Sequence, residues 1–181
     1  MTQPREAGYG LPAQLLHWLM AGLIAAQYAV GELMPHIGGR TPYEGLVAAH
    51  IVLGGVILGV IAAQAAWRLT HPVAQLDGLP AGQRTVARAT HGALYGLTAV
   101  VTILGWAAAS FRGWTVPLLG VIPLPALAAK GTPWAHEAGD VHVVLVYVMA
   151  GVIALHAGAA LFHHFIQRDG VLKRMLPFAG R

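Results

Sequence analysis

The chain has 181 residues, 56% of them hydrophobic and only 10% charged, with mean hydropathy +0.62 and formal net charge +4. A soluble domain carries about 25% charged residues, so this composition points to a membrane protein. Cysteine is absent, which excludes disulfides, thiolate zinc sites, iron–sulfur clusters and covalent C-x-x-C-H haem attachment.

Residues 1–10 form a short polar tail. Four apolar runs follow, at roughly 11–34, 46–69, 86–110 and 141–166. Each reaches the roughly 20 residues needed to cross about 30 Å of hydrocarbon. No n-region and h-region with a small-residue cleavage site is recognisable, so the first run reads as a retained span. The connections carry turn residues: Gly38, Gly39 and Pro42 in the first, Pro72, Gly78 and Pro80 in the second. The third, from Phe111 to Asp140, is longer and proline-rich, with Trp114 and Trp134. No internal repeat is visible. The expected fold is all-α, an integral membrane four-helix bundle forming one transmembrane domain over residues 1–181.

Charge predicts the orientation. With four spans, both termini and the second connection lie on one side. That side holds Arg5, Arg68, Arg84, Arg88, Arg168, Lys173, Arg174 and Arg181, eight of the eleven basic residues. Arg40, Arg112 and Lys130 lie opposite. The positive-inside rule then makes both termini cytoplasmic, in a multi-pass membrane protein. Basic residues scattered between apolar runs suit this topology and not a nucleic-acid partner.

The fourth run, VHVVLVYVMAGVIALHAGAALFHHFI, carries His142, His156, His163 and His164. An ionisable side chain within a membrane span is costly and marks a functional site. Fourteen residues of α-helix separate His142 from His156 by about 21 Å and return them to nearly the same face. One ion cannot be shared across that distance, but two centres stacked across a membrane can. His50, early in the second span, matches the depth of His142; His17, early in the first, matches His156. Two imidazoles facing each other across a bundle core are an axial pair for haem iron, and without cysteine the haem is b-type. His91, at the cytoplasmic start of the third span, competes with His17 or His156 as a ligand; a contact with a haem propionate or a quinone suits it better.

Plainer readings exist. A lone membrane histidine can simply hydrogen-bond a neighbouring helix, worth about 0.6–2 kcal/mol. Four at matching depths on three helices point beyond that. A bare zinc ion would favour a compact cluster with carboxylates. Gly22, Gly54, Gly55, Gly59, Gly105 and Gly151 permit close helix packing or make room for a flat macrocycle, and spacing leaves both open. His36, His71 and His136 fall in connections and are expected to be solvated, with His71 the exception to watch because it follows Arg68 at the cytoplasmic end of the second span.

Several segments resemble the bacterial cytochrome b-561 family: L-L-H-W at 15–18, the His50 that opens the second span, and W-R-L-T-H-P at 67–72. The most specific is the ending L-H-A-G-A-A-L-F-H-H-F-I-Q-R-D-G-V-L-K-R-M-L-P at 155–177. The fourteen-residue histidine pair is also shared with the cytochrome b subunits of membrane hydrogenases and formate dehydrogenases. The family often has W-H-E just before the fourth span; here His136-Glu137 stands apart from His142, and the spacing to His156 favours His142. The resemblance covers essentially the whole chain. It implies two haem b groups, with His50–His142 and His17–His156 as axial ligands of the irons, and electron exchange with ubiquinone. Some relatives pass electrons from superoxide to ubiquinone, which makes superoxide the candidate donor. Arg68, His71, Arg88, His91, His163 and His164 are candidates for quinone or propionate contacts. The alternative is an electron-transfer subunit that docks a partner dehydrogenase or hydrogenase.

Overall fold

The computed structural model describes residues 9–71 and 80–177; Arg5 and Arg181 lie outside them. Four α-helices dominate: α1 (Leu11–Leu33), α2 (Gly45–Thr70), α3 (Ala81–Arg112) and α4 (Pro133–Phe162). Each is long and apolar enough to cross a membrane. A two-residue strand pair, β1 (Pro117–Leu118) and β2 (Ile122–Pro123), interrupts the α3–α4 connection. A π-helical turn, His163–Gln167, and a 3-10 turn, Lys173–Met175, follow α4.

Local signals set the helix ends. Proline stands in the first turn of α1 and of α4, where its missing N–H costs nothing. Gly113 closes α3 in the left-handed region (φ 76°), its N–H bonded to the carbonyls of Ala109 and Ser110. Two helices start earlier than the hydrophobic runs suggest. α3 begins at Ala81 rather than near 86, because Pro80 starts it and polar Gln83, Arg84 and Arg88 continue it beyond the apolar stretch. α4 begins at Pro133 rather than near 141. Hydropathy marks the hydrocarbon-matched part of a helix and not its end. His136 therefore sits on α4, exposed but stacked on Phe111 with ring centroids 5.1 Å apart. His71 is the C-cap of α2 and stacks on Trp67 at 3.7 Å.

The helices pack in chain order, α1 on α2, α2 on α3 and α3 on α4. Met20, Ile57, Val60 and Ile61 form a buried cluster with Leu23, Ile24 and Tyr95 against it. Many large apolar residues face outward, among them Leu155, Phe165, Ile166 and Val144, as hydrocarbon surroundings permit. Arg112 Nη1 donates to the Gly38 carbonyl at 2.7 Å, joining the α1–α2 and α3–α4 connections at what we term the far end. At the terminal end, Gln14 Nε2 and Trp18 Nε1 donate to the carbonyls of Arg174 and Met175 at 2.8 and 2.7 Å. The C-terminal segment is thereby strapped across the start of α1.

The long connection is not a surface loop. Its strand pair runs back along α2 and seats against Gly55 and Gly59, roughly 15 and 21 Å from the first residue of that helix. Leu119 N donates to the Gly55 carbonyl at 3.2 Å. A Cβ on Gly55 would stand 2.0 Å from the Pro117 carbonyl oxygen, and one on Gly59 would stand 2.2 Å from Leu119 Cδ2. Irregular backbone at membrane depth must satisfy its own polar groups. Here Gly120 N and Val121 N bond to the carbonyls of Pro117 and Leu118, Leu124 N bonds to Val116 O, and the tip presents Leu119, Val121 and Ile122 outward.

Two outcomes are expected. Gly55→Ala forces backbone apart and should cost about 1–3 kcal/mol, read as a lower thermal midpoint in detergent. Gly82→Ala, with nothing within 4 Å, should not lower it; equal stability of the two variants would contradict the seating of the hairpin. The second concerns the strap. Partial desolvation pushes the Asp169 carboxyl up, but hydrogen bonds from His163 Nδ1–H and Val171 N–H outweigh it and hold the group below the ordinary carboxylate range. Stability from a depressed carboxylate is present above its unfolded pKa and lost as pH falls through the folded one. Acidification from neutrality to below about pH 4 should therefore raise protease cleavage after Arg168 or Lys173, and Asp169→Asn should show that cleavage already at neutral pH.

Candidate functional site

At the far end, His50 of α2 and His142 of α4 face each other with ring centroids 6.2 Å apart and planes at 83°. His142 Nδ1–H donates to the Val101 carbonyl of α3 at 2.8 Å. That bond fixes the tautomer and leaves Nε2 free. Small residues back both rings: a Cβ on Gly105 would come within 3.1 Å of His142, and one on Gly31 within 3.4 Å of His50. Gln27 of α1 donates Nε2–H to the His50 carbonyl at 3.0 Å. A cavity of about 190 Å³ adjoins the pair, with Gln27, Tyr28, Glu32 and Tyr147 in its wall.

At the terminal end, His17 of α1 and His156 of α4 stand 6.2 Å apart, centroid to centroid, at 65°. His91 of α3 approaches His156 more closely, at 5.3 Å. Gln64 of α2 donates to the Leu16 carbonyl at 2.6 Å, fixing α1 beside His17. The adjoining cavity is larger, about 640 Å³, with Arg68, Trp67, His71 and Tyr95 among its polar and aromatic walls. Ile24, Tyr28 and Thr98 line both cavities and divide them. The Thr98 hydroxyl is buried there, donating to Leu94 O at 2.8 Å and lying 3.8 Å from Met149 Sδ.

The two pairs suit a metal held between their rings. A metal–nitrogen bond of about 2.0 Å, plus about 1.1 Å from nitrogen to ring centre, places two opposed ligand rings roughly 6.2 Å apart. Both pairs have that separation; His91 and His156 are too close for it. Among the described residues, no group of three or more histidines and carboxylates is arranged to hold a bare ion. Each pair comes with an apolar cavity between helices, the usual place for a cofactor in a bundle. The donor set therefore fits a flat iron macrocycle at each level.

The six quinone or propionate candidates separate. Arg68, His71 and His91 line the terminal-end cavity. Arg88 is exposed on α3, and neither His163 nor His164 is among the lining residues. His163 stands seven residues beyond His156, where α4 passes into the π-turn His163–Gln167. Its Nδ1 pairs with Asp169 Oδ2 at 2.5 Å. His164 lies edge-on to Phe165.

Two residues escaped the sequence reading. Glu32, in the last turn of α1, accepts a hydrogen bond from Tyr147 OH at 3.3 Å. It is the sole carboxylate of the first apolar run, and that isolation is the signal that marks it. Gln27 carries no comparable signal, because one amide in an apolar helix is common.

Comparisons with known proteins identify the family. The model of the prokaryotic cytochrome b561 family matches residues 8–178. Cytochrome b561 homolog 2 of Escherichia coli is 29% identical over 170 residues, covering 93% of this chain and 90% of that protein. Cytochrome b562 of Cereibacter sphaeroides is 29% identical over 181 residues, covering 97% and 98%. The probable superoxide oxidase CybB of Yersinia pestis is 27% identical over 163 residues, covering 90% and 92%. Four membrane-length helices and a family match over nearly the full length leave one conclusion: the chain belongs to the prokaryotic cytochrome b561 family and is a multi-pass membrane electron-transfer protein.

Proposed function

We propose that the protein is a di-haem b-type cytochrome of the bacterial inner membrane that passes electrons from superoxide to ubiquinone. His50 and His142 hold one iron, and His17 and His156 hold the other. The observation that carries this reading is the equal 6.2 Å separation of two ring pairs at two levels of one bundle. Held by two imidazoles, each haem would supply one-electron transfer. The family and the name of the Yersinia relative support the choice of donor. Six of the nine basic residues among the described residues, Arg68, Arg84, Arg88, Arg168, Lys173 and Arg174, lie on the terminal side, which makes that side cytoplasmic under the positive-inside rule.

The balance is simple. Two superoxide anions each lose one electron and leave as O2; one ubiquinone takes both electrons and two protons and leaves as quinol. The chain's side chains bind, orient and supply protons. Val101 O holds His142 with Nε2 towards the cavity. Tyr28, Thr98 and Ile24 keep the two levels apart. A quinone carbonyl needs donors beside an apolar cleft, and Arg68, His71 and His91 offer them on the terminal-end cavity. At the same face, Arg88, His163 and His164 are candidates to receive the headgroup before it enters. His91, too close to His156 to share an iron with it, contacts a propionate or the quinone.

Purified protein should show two low-spin b haems per chain in a dithionite-reduced minus oxidised spectrum. His50→Ala or His142→Ala should remove one, His17→Ala or His156→Ala the other, and His91→Ala neither. If His91→Ala removes a haem that His156→Ala keeps, the pairing is wrong. Superoxide consumption by the loaded protein should depend on added ubiquinone. Full haem loading with no such activity would instead make the chain the cytochrome subunit of a dehydrogenase complex.

A further inference from the structure

The far-end site contains two unmatched polar atoms, a ring nitrogen and an amide oxygen. His50 Nδ1 is buried without a hydrogen-bond partner, and so is Gln27 Oε1. A buried polar atom without a partner costs about 1–3 kcal/mol, so two complementary ones in the wall of the same cavity call for a common explanation. Their placement supplies it. Gln27 and Gly31 are one turn apart on α1 and so share a face. Gly31 abuts the His50 ring: a Cβ there would stand 3.6 Å from Nδ1 itself. The Gln27 amide is anchored by its own Nε2, which donates to the His50 carbonyl at 3.0 Å. That bond also fixes which end of the amide is oxygen, because reversing it would set two carbonyl oxygens against each other.

The opposite ligand shows what is missing. His142 donates Nδ1–H to Val101 O and keeps Nε2 for the cavity. A histidine that ligates a metal normally donates its other N–H in this way, to a carbonyl, a carboxylate or a water, which orients the ring and makes it a stronger ligand. No backbone carbonyl does this for His50. We propose that Gln27 is the positioning residue of His50, its Oε1 accepting the Nδ1–H directly or through one water when Nε2 is engaged on iron. The inference rests on the assignment of His50 as an axial ligand. A stronger imidazole donor favours ferric over ferrous iron, so Gln27 holds the potential of the far-end haem down and leaves the other haem untouched.

Redox titration of the loaded protein, with the two haems followed separately, tests the role. Gln27→Leu removes the acceptor and should raise the far-end midpoint. Gln27→Glu strengthens the acceptor, at the loss of the Nε2–H bond to the His50 carbonyl, and should lower it. Outer partners of metal ligands change affinity by roughly 10- to 100-fold, and a tenfold change in ferric-over-ferrous preference corresponds to about 59 mV for one electron. A residue that merely pins α1 to α2 through Nε2 would not give shifts of opposite sign confined to one haem. If Gln27→Leu does not fold, Gln27→Met, which keeps the length of the side chain and removes the amide acceptor, decides in its place: a raised far-end midpoint supports the role, and an unchanged or lowered one overturns it. His50→Ala separates the two levels of the inference. If it loses the far-end haem while both Gln27 variants keep the parent potential, only the role of Gln27 falls. If it retains both haems, the axial assignment falls and this role falls with it.

Discussion

The constraint on which the structure depends is the cost of keeping imidazole nitrogens in a hydrocarbon layer. Water cannot satisfy them there, so every free N–H and lone pair needs an internal partner or a bound group. The bundle meets that cost in stages. Backbone carbonyls of neighbouring helices take the first share, Val101 O for His142 being the clearest case. Side-chain amides fix the helices that carry the other rings, Gln64 beside His17 and Gln27 beside His50. Glycines at 31 and 105 let the rings lie against backbone. What remains is four imidazoles in two facing pairs, each beside a cavity, which is a demand for a cofactor built into the fold.

The same accounting explains the hairpin. A Gly-x-x-x-Gly stripe such as Gly55–Gly59 normally lets two membrane helices approach each other closely. Here the stripe receives β1, β2 and their turn from the same chain. The close approach lets the Leu119 N–H reach the Gly55 carbonyl, so exposed turn backbone descends to membrane depth without an orphaned donor at that point. Val116, buried at the top of the hairpin, also lines the far-end cavity. The hairpin is therefore part of the wall behind His50 and His142, and its seating and the shape of that cavity are one packing problem.

Much of this was legible in the sequence, for a physical reason. Hydrocarbon thickness fixes span length, and helical rise converts histidine position into depth, so His17, His50, His142 and His156 pair by arithmetic. The structure brings those same rings to facing positions. Features governed by side chain against backbone were not legible. The seating of residues 117–123 depends on two glycines remote in sequence. The pairing of His163 with Asp169 depends on the π-turn His163–Gln167, which no residue pattern announced. The isolated Glu32 was visible as a residue, but its partner Tyr147 lies 115 positions away.

The two levels of the bundle are not equivalent, and the difference bears on the proposed direction of electron flow. The far-end cavity is about 190 Å³ and hemmed in by the hairpin and by glycines set against both rings. The terminal-end cavity is about 640 Å³, with Arg68, His71, His91 and Tyr95 added to its ligand pair. A superoxide anion needs no more than a short approach to the macrocycle edge, because it gives one electron and leaves. A quinone needs room for a flat ring, donors for two carbonyls and a source of two protons. On the proposed reading the macrocycle held by His17 and His156 would take its share of the larger cavity, and Arg68, His71 and His91 in the same wall would serve the quinone, so electrons would enter at the tighter level and leave at the roomier one.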